Sequence, residues 1–398
     1  MNFLFILPTF YPNIGGVETA TLEICRQLQK KSHKVYVLTT NRSNYFPNNK
    51  RLKIFENYEG IPIYRTRSAI RYLGIPLKAF YLIKKFRINQ LYITDFSGFI
   101  SIFFKKIYRI PFTYVLNGYN PICPKGTLLR GEICQGFEVT KCLKYCHKFS
   151  LRFFLMFIMT RALLFKARPV IANSNAVKNA FLSYFGKFSV KVIYYGIDLQ
   201  KFHPEDVRQA DLPYHLKASD NIILFFGRVI KERGIFEFLP HLKSLLQRIP
   251  CKLLIVGFGP EISRIRARVR ELNLQNHVIF PGILTNQALV NVINLCDLII
   301  LPILFPEPLG LVVLEAMACA KPVVSFELGG VRELLQDIEP KLLIPPNDWE
   351  QLTDKIAELL KNKDLRTSLG LDLRQRAEKY FTWDQYINQF LKEINHAI

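Results

Sequence analysis

Leu298-Ile299-Ile300-Leu301-Pro302-Ile303-Leu304 runs into Phe305-Pro306-Glu307-Pro308-Leu309-Gly310-Leu311-Val312-Val313-Leu314-Glu315-Ala316-Met317-Ala318, and the change of pattern along this stretch decides the fold. It begins as a short, continuous apolar run, the mark of a strand buried on both faces. After two prolines and a glycine the pattern becomes helical, with a helix predicted to open around Leu309. Strand, short loop and helix make half of a βαβ unit, and a strand buried on both faces needs helices above and below it.

The same alternation extends outward in both directions. Strands are expected at 222–226, 252–256, 277–280, 297–301, 322–325 and 341–344 in the C-terminal half, and at 2–7, 34–39, 61–65, 90–94, 112–116, 169–173 and 190–195 in the N-terminal half. Helical patterns fill the intervals, the first over about residues 17–31. Two such series in tandem predict an α/β chain with two doubly wound, parallel-sheet domains, and 398 residues is a natural length for two. Apolar periodicity fades over 201–219, which sets the expected organisation: a first domain over 1–200, a linker over 201–219, a second domain over 220–380 and a terminal helix over 381–398 packing back toward the first domain.

Charge divides the chain the same way. Residues 1–200 hold 30 Lys and Arg against 8 Asp and Glu, which is the whole of the net charge of +22. An anionic partner is therefore expected for the N-terminal half alone. The basic residues are interleaved with apolar ones, as in Phe103-Phe104-Lys105-Lys106 and in Leu151-Arg152-Phe153-Phe154-Leu155-Met156-Phe157-Ile158-Met159. That mixture suits an anionic membrane interface better than nucleic acid, for which no motif is present. The apolar stretch after Arg152 is broken by Arg161 and is shorter than the ~20 residues a span requires. Met1-Asn2-Phe3-Leu4-Phe5-Ile6-Leu7 lacks a charged n-region and reads as a first buried strand, not a signal peptide. A cytoplasmic protein, peripheral on the inner face of the membrane, is expected.

Of the eight cysteines, Cys25, Cys251, Cys296 and Cys319 sit in apolar surroundings and read as inert core residues. Cys123, Cys134, Cys142 and Cys146 cluster in one loop-like region and are candidate ligands of a structural zinc, with free or redox-labile thiols as the alternative.

In the opening stretch, the helix start offers unpaired amides and a positive dipole end suited to phosphate, and Gly310 lets a ligand approach the backbone. Glu307 and Glu315 flank that point, and carboxylates beside a phosphate site suit the hydroxyls of a sugar or ribose. This Glu-x7-Glu pattern resembles that of retaining glycosyltransferases of the GT-B fold, notably glycosyltransferase family 4. The resemblance extends in order over almost the whole chain: Gly15-Gly16-Val17-Glu18, Ser32-His33-Lys34-Val35, Tyr195-Gly196-Ile197-Asp198, Gly227-Arg228, Gly257-Phe258-Gly259-Pro260, Pro322-Val323-Val324 and Gly329-Gly330-Val331-Arg332-Glu333.

The resemblance implies two Rossmann-like domains facing each other across a cleft, a nucleotide-diphosphate sugar (UDP or GDP type) as donor, and a glycan or lipid-linked acceptor. It also implies roles for residues. Glu315 would bind ribose hydroxyls and Glu307 hydroxyls of the donor sugar. Amides near Gly310 and Leu311 would hold the diphosphate, and Leu284 would meet the base through its main chain. Gly15 and Gly16 would let the first domain approach the diphosphate. Arg228 and Arg233 would neutralise the leaving group, Arg233 standing where the family usually has Lys, with Lys231 nearby. Asn117 and Gly118 stand where a subset of the family has a His-Asp pair, and that histidine contacts the donor sugar. No Asp-x-Asp pair is present, so charge neutralisation by side chains and a helix end, without a catalytic metal, is expected. The competing reading is a catalytically silent scaffold or binding subunit of a glycan assembly complex, for which Asn117 and Arg233 are the support.

Overall fold

The computed structural model describes the chain apart from residues 14, 42–50, 68–70, 96–98, 100, 124, 129–133, 135–150, 206, 208–215, 218, 286, 339–340 and 398. The chain forms two compact units, Met1–Tyr195 together with Trp383–Ile398, and Gly196–Thr382.

Unit 1 runs β1 (Asn2–Ile6), α1 (Gly16–Lys30), β2 (Lys34–Thr40), β3 (Phe55–Tyr58), β4 (Ile61–Thr66), α2 (Arg71–Phe86), β5 (Gln90–Ile93), α3 (Ser101–Tyr108), β6 (Phe112–Leu116), α4 (Leu151–Lys166), β7 (Val170–Ala172), α5 (Asn175–Phe185) and β8 (Lys191–Val192). Its sheet has the order β3-β4-β2-β1-β5-β6-β7-β8. The steps from β4 to β5 and on through β8 all run one way along the sheet, so right-handed crossovers put α2, α3, α4 and α5 on one face; the step from β1 to β2 runs the other way and puts α1 on the opposite face. Strand alternation agrees. Leu4 and Ile6 join Leu82, Phe104, Leu163 and Phe181 in one core cluster, while Phe3 points away from it.

The expectation of wholly parallel sheets needs one correction. β3 pairs antiparallel with β4, Phe55 opposite Tyr64 and Tyr58 opposite Ile61. Glu59 and Gly60 turn the chain at φ 50° and 78°, the left-handed backbone a two-residue hairpin requires. Phe55-Glu56-Asn57-Tyr58 is half polar because it lies at the sheet edge, and so it carries no apolar run by which to be found.

Unit 2 runs β9 (Ile222–Arg228), a short 3-10 turn (Lys231–Arg233), α6 (Ile235–Leu246), β10 (Lys252–Phe258), α7 (Ile262–Glu271), β11 (Val278–Gly282), α8 (Gln287–Leu295), β12 (Leu298–Leu301), α9 (Leu311–Ala318), β13 (Val323–Phe326), α10 (Gly330–Leu335), β14 (Leu343–Ile344), α11 (Trp349–Lys361) and α12 (Lys363–Tyr380). The sheet order is β11-β10-β9-β12-β13-β14, and each pairing is parallel. Strand order thus reverses between β9 and β12. At such a switch point the loops from neighbouring strands diverge, leaving a crevice beyond the carboxyl ends where ligands bind.

The chain then returns to unit 1 as α13 (Trp383–Ala397), with Tyr386, Ile387, Phe390 and Ile394 buried. Phe390 lies with its ring centroid 6.4 Å from Phe3 and 5.9 Å from Tyr92, on the side of the sheet that the α2–α5 layer leaves open.

Candidate active site

Two loops at the unit 2 switch point carry most of the expected site. β9 ends on Arg228, which is exposed and forms no ion pair among the described residues. The 3-10 turn follows, and Gly234 ends it in left-handed backbone at φ 70°. A Cβ on Gly234 would stand 1.9 Å from the Pro302 carbonyl oxygen, so only glycine lets this turn lie on the loop that follows β12. Leu304 N also donates to Glu232 O at 2.8 Å. The two loops are thereby fixed to each other, and they bring Arg233 against Glu307.

Arg233 Nη2 lies 3.1 Å from each Glu307 carboxylate oxygen, with both side chains 12% exposed. Arg233 Nε and Nη1 are buried without a hydrogen-bond partner among the described residues. Of the basic residues expected here, it is Arg233 that meets Glu307, while Lys231 is exposed on the turn. Glu307 is also held from behind. Gly330 N donates to its carbonyl at 2.7 Å, and a Cβ on Gly329 would meet the Glu307 carbonyl oxygen at 2.3 Å.

Gly310 caps α9 in left-handed backbone, φ 96° and ψ 66°. Val313 N and Leu314 N donate to the Gly310 carbonyl, which leaves the Leu311 and Val312 amides at the helix start without an acceptor in their own helix, and a Cβ on Gly227 at the end of β9 would lie 3.5 Å from Val312 Cγ2. α9 is otherwise an apolar helix, with Val313, Leu314, Ala316, Met317 and Ala318 buried. Glu315 is its one charged residue, half-buried and without an ion pair or side-chain hydrogen bond among the described residues. Burial pushes its carboxyl up to about 7, opposed only in part by the charge of Lys201. A raised, unpaired acid in an otherwise apolar helix, close to the free amides of a helix start, makes Glu315 a candidate binding group.

Beyond β10 and β11 lies a cleft of about 450 Å³, lined by Gly257, Gly259, Ile262, Arg266, Phe280 and Ile283 among others. Arg266 stacks its guanidinium 4.2 Å from the centre of the Phe280 ring. Leu284 is half-buried and follows Ile283 at the edge of this cleft. Sequence reasoning missed the Arg266–Phe280 pair, whose only signal was an arginine-rich helix ahead of a strand.

The other expected residues belong to unit 1. Gly15 is the residue before α1 and Gly16 its first, in the loop after β1. Asn117 follows β6, and its Oδ1 accepts a hydrogen bond from the Tyr195 hydroxyl. Burial raises the Tyr195 phenol above its ordinary range and so keeps it a donor. Asn117 Nδ2 is buried without a partner among the described residues. Tyr195 was visible in the sequence as part of a Tyr-Gly-Ile-Asp motif, but its bond to Asn117 spans too much sequence to be read from it.

Cys123 is buried and Cys134 half-buried, whereas Cys142 and Cys146 lie outside the described residues. Among the described residues no group of three or more potential metal ligands occurs. Burial pushes the thiols of Cys251, Cys296 and Cys319 up to about 12 and that of Cys25 well above its usual value, which makes all four unreactive.

Two family profiles match the chain, "Glycosyltransferase Family 4" over residues 14–201 and "Glycosyl transferases group 1" over residues 208–377. The chain belongs to the group 1, family 4 glycosyltransferases. This transferase is similar to "Uncharacterized glycosyltransferase MJ1069" of Methanocaldococcus jannaschii, 24% identical over 99% of this chain and 98% of that one. It is 27% identical to the N-acetyl-alpha-D-glucosaminyl L-malate synthase of Bacillus anthracis, but that match spans only 50% of this chain and 52% of the relative. A match of 26% to the GDP-mannose-dependent alpha-(1-6)-phosphatidylinositol monomannoside mannosyltransferase of Mycobacterium tuberculosis covers 53% and 57% of the two chains. Among solved structures, sucrose-phosphate synthase from Thermosynechococcus elongatus superposes with a TM-score of 0.76 at 21% identity, covering 99% of this chain and 98% of that one. Anabaena Alr3699/HepE in complex with UDP-glucose does so with a TM-score of 0.74 at 19% identity over 100% of both. The fold is therefore that of the GT-B glycosyltransferases.

Proposed function

We propose that this transferase moves a hexosyl group, with retention of anomeric configuration, from a UDP- or GDP-sugar to a glycan or lipid-linked acceptor in cell-surface polysaccharide or lipopolysaccharide synthesis. Unit 2 holds the donor and the basic unit 1 receives the acceptor, at the inner face of the cytoplasmic membrane. The observation that carries the reading is the constellation at the unit 2 switch point: Arg233 on Glu307, Arg228 unpaired, and Glu315 unpaired beside the start of α9.

Each group has work that its surroundings fit it for. The α9 amides and the two arginines take the diphosphate oxygens, and their positive charge stabilises the charge that develops as the leaving group departs. Glu315, when ionised, accepts from the two ribose hydroxyls. Glu307 accepts from hydroxyls of the donor sugar while the diphosphate takes over Arg233. The base lies along the Arg266–Phe280 cleft, with the Leu284 main chain at its edge. In the chemical step the acceptor oxygen bonds to the anomeric carbon on the face from which the diphosphate leaves. The bond from that carbon to the phosphate oxygen breaks, and the hydroxyl proton passes to a leaving-phosphate oxygen. No side-chain base is used, which suits a neutral amide at Asn117. Asn117 donates Nδ2 to the sugar, oriented by Tyr195.

The mannosyltransferase relative, whose acceptor is a phosphatidylinositol mannoside, supports a lipid-linked acceptor, and HepE with UDP-glucose supports a UDP donor. The test is to incubate the protein with UDP-glucose, UDP-N-acetylglucosamine or GDP-mannose and a bacterial glycolipid fraction, then measure nucleoside diphosphate release and the anomeric coupling of the product. Release with one donor and an axial product linkage is expected. Inversion, or no release from any donor, contradicts the reading.

A further inference from the structure

We infer that the outer face of the α2, α3 and α4 layer is the surface by which the protein docks on an anionic lipid bilayer. This deepens the membrane reading just given by naming the surface, and its test needs no catalysis. The three helices lie on one face of the unit 1 sheet and bury their inner sides in its core, through Ile75, Ala79 and Leu82, through Phe104, and through Leu163 and Leu164. Their outer sides are apolar as well. On α2, Leu77 (73% exposed), Phe80 and Tyr81 stand at helical spacing, and on α4 Phe154, Ile158 and Phe165 do the same, with Leu155 beside them. The helices form one surface: the Phe80 and Tyr108 rings join α2 to α3 at 5.9 Å, and Lys105 Nζ donates to Lys166 O at 2.9 Å from α3 to α4. A helix with apolar side chains on both its inner and outer faces calls for an apolar neighbour on each, and none of the described residues covers the outer face.

Charge selects that neighbour. The three helices hold nine Lys and Arg and no Asp or Glu. Each exposed stripe runs from apolar to basic, Leu77, Phe80 and Tyr81 into Lys84 and Lys85, and Phe154, Leu155 and Ile158 into Arg161. A second copy on this face would set cations against cations. Nucleic acid would satisfy the charge and leave Leu77, Leu155 and Ile158 in water. An anionic bilayer takes both, with aliphatic and aromatic side chains at the acyl boundary and ammonium groups among the headgroups. Among the described residues no helix is long and apolar enough to cross a membrane, and α4 has 16 residues, so the layer lies on the surface.

The test is co-sedimentation of the full chain with phosphatidylcholine vesicles containing phosphatidylglycerol, without donor or acceptor, against vesicles of phosphatidylcholine alone. Wild type is expected to sediment with the anionic vesicles and to be released by salt. Lys84→Gln with Lys85→Gln is expected to weaken partitioning roughly 25-fold, at about fivefold per lysine charge near the surface. Leu155→Ser with Ile158→Ser, both positions being solvent-exposed, is expected to weaken it at least tenfold with the melting temperature unchanged. Equal binding of wild type and both variants overturns the inference, as does equal binding to the uncharged vesicles. A concentration-dependent dimer abolished by Leu155→Ser with Ile158→Ser overturns it in favour of a second copy, and tighter binding to an RNA oligonucleotide overturns it in favour of nucleic acid. A transferase that releases nucleoside diphosphate yet ignores the vesicles would lose this inference and keep the catalytic reading; vesicle binding without release from any donor would do the reverse.

Discussion

Arg233 and Glu307 close on each other: one guanidinium nitrogen lies 3.1 Å from both carboxylate oxygens, at the junction of the loops that follow β9 and β12. Each holds the other in place, and in the proposed reaction the donor's diphosphate would take over the arginine and a sugar hydroxyl the glutamate. Arg233→Lys keeps the charge and loses the fork, so transfer should fall less than about tenfold, whereas Arg233→Met should cost roughly 10²–10³ in kcat. Glu307→Ala leaves a largely buried cation without its partner, and urea unfolding should show a loss of about 3 kcal/mol. Loss of activity in Glu307→Ala with stability unchanged would mean that the pair is not formed in solution.

Glu315 sets a pH dependence. Its carboxyl is pushed up to about 7 by burial, so the folded protein binds a proton there that the unfolded chain, with an ordinary carboxylate, has already lost. That contribution to stability is complete below the ordinary carboxylate range and disappears as pH rises through about 7. The melting temperature of wild type should therefore fall between pH 5 and pH 8 relative to Glu315→Gln. Ribose hydroxyls prefer the ionised form, so affinity for UDP or GDP should strengthen about tenfold from pH 6 to pH 8 in wild type. Calorimetric titration of Glu315→Gln at the same two pH values should give no such change.

Gly329 fixes Glu307 by close approach. Gly329→Ala would put a methyl 2.3 Å from the Glu307 carbonyl oxygen, in left-handed backbone at φ 62°. Neither strain is relieved by a side-chain movement. Thermal unfolding should show a loss of about 1–3 kcal/mol, together with a higher KM for the donor.

Tyr195 orients Asn117 from within the core of unit 1. Tyr195→Phe removes the donor to Asn117 Oδ1 and leaves that atom unsatisfied. At about 1–3 kcal/mol for such a group, kcat/KM should fall roughly 5- to 100-fold, while the dissociation constant for the free nucleotide, held by unit 2, stays unchanged. A parallel rise in nucleotide dissociation constant would contradict the assigned role.

The strand cores and the helix start between Glu307 and Glu315 were legible because burial on both faces writes continuous apolar runs, and because the left-handed cap of α9 is taken by a glycine. β3 was not, since an edge hairpin carries no such run. The positioning devices were also hidden. That Gly234 lies on Pro302, Gly330 on Glu307 and Tyr195 on Asn117 are contacts between loops far apart in sequence, and only the sheet order brings them together. The choice of Arg233 over Lys231 as partner of Glu307 likewise depends on how the 3-10 turn faces, which composition does not encode.

The central claim, a donor site on unit 2 that includes Glu315, is tested most directly by thermal unfolding of the purified protein with UDP-, GDP- and ADP-sugars, in parallel with Glu315→Ala. A ligand that binds only the folded state raises the melting temperature. The account predicts a rise with one nucleotide class in wild type, lost in Glu315→Ala; no rise with any donor, or a rise undiminished by the substitution, would contradict it.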